Sequence, residues 1–177
     1  MRHKEINSLA ENYAAQYNPE KLTPFPYENV TKDRGDLDVV YVDLDDDSAS
    51  GVILYEEKDN RYSILINSTK SVNRQHFTLG HELGHYFLHQ DILKTKKGLV
   101  DGEKTLDNSN ILYRLDDAAM QTQIETEANH FAAALIMPSH LVEEAWDVLH
   151  DIEECARLFK VSTIAMSIRL TELELVS

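Results

Sequence analysis

Cysteine is nearly absent from this 177-residue chain: Cys155 stands alone, so no disulfide can form within it. Long apolar runs are absent too. No stretch reaches the 18 or more residues that a membrane span needs, and the amino-terminal MRHKEINSLAENY is amphipathic, without a signal peptide's apolar core. These absences read as a cytoplasmic protein, and they leave the NST at 67–69 without meaning as a glycosylation site. Cations are scarce, 17 Lys and Arg against 31 Asp and Glu, for a net charge of −14. Such a balance argues against a general phosphate-binding surface and suits protein partners. No internal repeat or low-complexity tract appears.

What is present is an ordinary globular composition, 42% hydrophobic, enough for one compact domain. Ile6, Leu9, Tyr13, Ala14 and Tyr17 share one face of a first helix, and the TPFP at 23–26 breaks it. DVVYV (38–42), GVILYE (51–56) and RYSILI (61–66) have strand composition, the last two joined through EKDN as a hairpin. A long helix is expected from about 73 to 90 and a second from about 115 to 137, ended by Pro138. Residues 94–110 between them are polar and read as a mobile loop. Asp46, Ser48, Ser50, Gly51 and Glu57 loosely match calcium-loop spacing. Strands rather than helices flank them, so an acidic turn is the better reading.

The chemistry concentrates in FTLGHELGHYFLHQ, 77–90. On a helix, residues four apart share a face, so His81 and His85 can converge on one metal ion. His89 lies about 12 Å along the axis from His81 and cannot join them; it reads as a residue packed at the helix end or behind a ligand. Glu82 sits about 100° around from His81, unsuited to ligation but placed to act as general base on a water, as in HExxH proteases. A third ligand is needed, and IETEANHFAAALIMP (124–138) offers Glu125 and Asn129 beside an apolar stripe of Ile124, Ala128, Phe131 and Leu135. Composition alone favours a surface carboxylate at Glu125; a zinc ligand is the alternative. Glu127 points about 200° away from Glu125 and is expected free or paired with a surface cation.

Together, FTLGHELGHYFLH (77–89) and ETEANHFAAALIMP (125–138) resemble the ImmA/IrrE-type metallopeptidases. The resemblance implies a gluzincin-like Zn2+ site with His81, His85 and Glu125 as ligands, Glu82 as the catalytic glutamate, and Asn129 orienting a ligand histidine. It implies a zinc-dependent endopeptidase whose protein substrate is a helix-turn-helix repressor of a mobile element, phage or stress response. Two alternatives stay open: a non-catalytic, zinc-stabilised binding partner of a repressor, and the toxin of a toxin–antitoxin pair. Tyr113, His130 and His140 are candidates for oxyanion support.

The fold expected is α+β: a small mixed sheet or hairpin packed on a two-helix zinc-binding core. Residues 1–138 form the metallopeptidase domain, and 139–177 a helical, helix-turn-helix-like module packed on it. In that module Ala156, Val161, Ser162 and Met166 occupy packing and turn positions. It carries eight acidic side chains and three basic ones, so no direct DNA binding is expected. Cys155 reads as a buried small hydrophobe.

Overall fold

The computed structural model describes residues 3–44, 49–96, 98–101 and 118–176. The amphipathic start becomes α1 (His3–Tyr17), which buries Ile6, Ala10, Ala14 and Tyr17. A short α2 (Glu28–Asp33) leads to three strands, β1 (Leu37–Val42), β2 (Gly51–Glu56) and β3 (Arg61–Asn67). β2 and β3 form the expected hairpin, Glu56 opposite Arg61, with Asn60 in the left-handed conformation at φ 50° that suits Asn in a turn. β1 joins β3 in parallel. Tyr62, Ile64 and Ile66 alternate along β3 onto the core face.

The helix carrying the histidines, α3 (Val72–Leu88), starts at Ser71, whose side chain accepts a hydrogen bond from the Arg74 amide. It ends two residues earlier than a continuous helix to 90 would: His89 caps it, and a separate α4 (Gln90–Lys96) follows. The segment read as a loop is partly structured, for β4 (Gly98–Asp101) pairs antiparallel with β2. Backbone pairing with an existing strand supplies what the polar sequence does not signal. The sheet order is β1-β3-β2-β4. Residues 102–110 of that segment lie outside the described residues, as do Asp46 and Ser48 of the calcium-like spacing.

The second long helix is α5 (Ala118–Ile136), whose stripe of Ile124, Ala128, Phe131 and Leu135 is buried. Three short helices follow, α6 (Ser139–Leu149), α7 (Ile152–Phe159) and α8 (Thr163–Glu172). Lys160 closes α7 in the left-handed conformation, and Ser162 caps α8 by accepting from the Ala165 amide at 3.1 Å. Cys155, Ala156, Phe159, Val161 and Met166 join the same hydrophobic cluster as the strands and long helices. Among the described residues no helix is long and apolar enough to cross a membrane.

α3 is buried on every side from Thr78 to Tyr86, packed between the sheet and α5. The α5 face is made of small residues. A Cβ on Gly84 would stand 3.0 Å from the Ala128 backbone, and one on Gly80 would stand 2.9 Å from the Tyr27 hydroxyl and 3.4 Å from Ala132. Glycine at these two positions lets the helix axes close in, and that closeness positions everything polar between them.

Candidate metal centre

A helix enclosed on all sides is ordinarily apolar all round. α3 instead buries His81, Glu82 and His85 in the middle of its length. Buried ionisable groups are costly unless something compensates them, so their partners define what the site can do.

His81 and His85 point their Nε2 atoms at the same spot, 3.0 Å apart. Across the α3–α5 contact, Glu125 Oε2 lies 3.1 Å from His81 Nε2 and Oε1 lies 3.7 Å from His85 Nε2. The three residues form a group that could hold one metal ion, all ligand atoms lying within 4.8 Å of one another. Glu125 keeps 26% of its side chain exposed while both histidines are buried. The cluster is therefore closed on the α3 side and open beside the carboxylate, as a catalytic site needs.

The protonation states fit a cation. Burial pulls the His85 imidazole down to about 4, against the raising effect of Glu125, so the ring is neutral at ordinary pH. Burial pushes Glu125 up, but the facing His81 and His85 rings outweigh it and hold the carboxyl at about 2, so it is a carboxylate. Asn129 Oδ1 lies 3.0 Å from His81 Nδ1; since the amide oxygen only accepts, Nδ1 carries a proton, and in the neutral ring that a metal requires Nε2 keeps its lone pair. Two neutral imidazoles and a carboxylate are what a divalent ion demands of His and Glu ligands.

Glu82, fully buried, faces the start of β2: a Cβ on Gly51 would stand 2.9 Å from its Oε1 and would clash with Thr78 Cγ2. Glycine there leaves the carboxylate its room. Gln121, one turn before Glu125, donates to its Oε1 at 2.7 Å. This support went unread in the sequence, although its i, i+4 spacing was visible.

Glu127 departs from expectation. It is not free but buried, with Oε2 3.1 Å from His89 Nε2 and Oε1 accepting from Gln123 at 3.1 Å. Both glutamates reach the same row of α3, Glu125 at His81 and His85 and Glu127 at His89. Because α3 and α5 lie so close, His89 one turn beyond His85 reaches the second glutamate. His89 in turn sets its Nδ1 3.0 Å from His85 Nδ1. Of the oxyanion candidates, Tyr113 lies outside the described residues, His130 stacks on His3, and His140 is exposed on α6. Asn129 also lines a cavity of about 280 Å³ between α5 and α8, walled by Phe77, Ala133, Met137 and Ile168.

Residues 33–171 match the peptidase family Peptidase M78, described as the IrrE N-terminal-like domain. The chain belongs to that family. The match takes in both long helices and the whole cluster between them, and it makes this chain a metallopeptidase of the M78 type. Metallopeptidase ImmA of Bacillus subtilis is 26% identical over 141 residues, covering 78% of this chain and 73% of that protein. Radiation response metalloprotease IrrE of Deinococcus radiodurans is 31% identical over 115 residues, 62% of this chain but 30% of its own length. A solved structure, a Mycobacterium tuberculosis transcriptional regulator, shares the fold with a TM-score of 0.61 at 17% identity, over 94% of this chain and 47% of its own. The chain thus spans less than half of two of these three relatives.

Proposed function

We propose that this M78 protein is a zinc-dependent endopeptidase that cleaves a helix-turn-helix transcriptional repressor. The observation that carries the reading is the convergence of His81, His85 and Glu125 from two helices onto one point. In this reading they hold Zn2+, which supplies Lewis acidity toward the scissile carbonyl and toward water. Glu82, one residue from the first ligand, accepts the attacking water's proton and returns it to the departing amine. Asn129 fixes the His81 ring, and Gln121 holds the carboxylate of Glu125.

The repressor as substrate rests on the resemblance to ImmA/IrrE-type enzymes, and the acidic surface suits a basic DNA-binding protein as partner. In the same reading residues 139–177 serve packing and substrate docking, their α8 forming one wall of the cavity that Asn129 lines. Direct DNA binding is not their role, given eight acidic and three basic side chains.

The test is to incubate purified protein with a helix-turn-helix repressor from the same genome, with and without a chelator. A discrete cut that the chelator abolishes is expected. An intact repressor held in a stable complex would establish the non-catalytic binding partner instead.

A further inference from the structure

Two ligand histidines of one proposed ion are anchored here in different ways. His81 meets the neutral amide of Asn129. His85 meets another histidine, Nδ1 to Nδ1 at 3.0 Å, and that histidine meets a carboxylate, His89 Nε2 to Glu127 Oε2 at 3.1 Å. All three of His85, His89 and Glu127 are buried.

Hydrogen-bond bookkeeping along this row has one solution compatible with ligation. Glu127 Oε1 accepts from the Gln123 amide, which has only hydrogens to offer there. As a carboxylate, Glu127 also accepts at Oε2, so His89 carries its proton on Nε2. A neutral imidazole has one N–H, hence His89 Nδ1 is bare and accepts. His85 must then carry its proton on Nδ1, which leaves Nε2 with the lone pair that faces Glu125 and His81. The opposite assignment would place a proton on His85 Nε2, pointed at the ion.

We propose that His89 and Glu127 are positioning residues that fix the Nδ1–H tautomer and ring orientation of His85, so that the charge of a carboxylate two residues from Glu125 in sequence reaches the metal site through two imidazoles. The inference rests on the reading of His81, His85 and Glu125 as ligands. Its geometric basis is the single helical turn from His85 to His89, together with the close α3–α5 approach at Gly84 and Ala128. Hydrogen bonding to the remote nitrogen of a ligand histidine raises its basicity and removes the cost of orienting it.

Two measurements test it. In the zinc-loaded protein, long-range 1H–15N correlation NMR should show His89 neutral with its proton on Nε2; a Nδ1–H tautomer or an imidazolium at His89 overturns the proposal. Competition titration should give a zinc affinity lower by roughly 10–100-fold in His89→Phe, which keeps the ring but cannot accept, and largely recovered in His89→Gln, whose amide oxygen can. Glu127→Ala should weaken binding by about 10-fold while still taking up one equivalent at micromolar protein. Zinc affinities within twofold of wild type in both His89→Phe and Glu127→Ala would sink the idea. Failure of the wild-type protein to bind zinc would instead sink the reading of the ligands. If His89→Phe does not fold, the tautomer measurement on the unaltered protein still decides.

Discussion

Among the described residues, two buried polar clusters solve burial in opposite ways. At the junction of α1, α6 and α8, Arg169 donates to the Met137 carbonyl at 3.0 Å and to Glu11 Oε1 at 2.9 Å. Glu11 also accepts from the Ser139 amide and hydroxyl, at 3.0 and 3.1 Å. Every contact there sets a donor against an acceptor, so the cluster is complete as it stands and fastens the C-terminal helices to α1. Between α3 and α5 the pattern reverses. Two imidazole nitrogens and a carboxylate, all acceptors in the states argued above, lie 3.0 to 3.7 Å apart. In those states a cation among the three completes the arrangement. Burial alone therefore does not mark a functional site.

Four changes would break or sharpen the contrast, in falling order of effect. Glu82→Gln should keep the metal and the fold yet slow repressor cleavage by roughly 10²–10⁴-fold, the usual worth of a general base; cleavage at the wild-type rate would remove Glu82 from the mechanism. Arg169→Ala should cost about 3–5 kcal/mol of stability by chemical denaturation, because it leaves Glu11 and the Met137 carbonyl without their buried partner. Metal content per folded molecule should not change, since that cluster plays no part in ligation. Asn129→Ala should weaken metal binding by about 10-fold, as expected for loss of a group that orients a ligand ring, with no comparable loss in melting temperature of the metal-free protein.

The smallest effect concerns pH. Burial lowers His76, at the start of α3 and outside both clusters, to about 4. Its folded-state pKa lies below the unfolded value, so between about pH 6.5 and 4 the unfolded chain binds the extra proton. Stability should fall as pH drops through that window, by at most about 1.4 kcal/mol per pH unit from this group. His76→Gln should flatten that part of the melting-temperature profile measured on metal-free protein, and an unchanged slope would remove His76 as its source.

Much of this was legible in the sequence. The i, i+4 spacing of His81 and His85, the Pro138 stop and the strand–turn–strand run of 51–66 each express a local rule, and local rules survive folding. β4 was not legible, because Gly98–Asp101 becomes a strand only by pairing with β2. The partnership of His89 with Glu127 was not legible either. Each residue alone looks like a polar group on the wrong face of its helix, and they meet because Gly80 and Gly84 let α5 approach closely. Helical angles separate Glu125 from Glu127 along α5; how near the neighbouring helix lies is a property of packing that those angles do not contain.

The most direct test of the central claim is metal stoichiometry in two variants of neighbouring glutamates. Purified Glu125→Ala and Glu127→Ala, each incubated with excess zinc, desalted and assayed by elemental analysis, separate a ligand from a supporting carboxylate on the same helix. The account predicts that Glu125→Ala loses stoichiometric zinc while Glu127→Ala retains about one equivalent. Retention by Glu125→Ala together with loss by Glu127→Ala would contradict it and move the third ligand to Glu127.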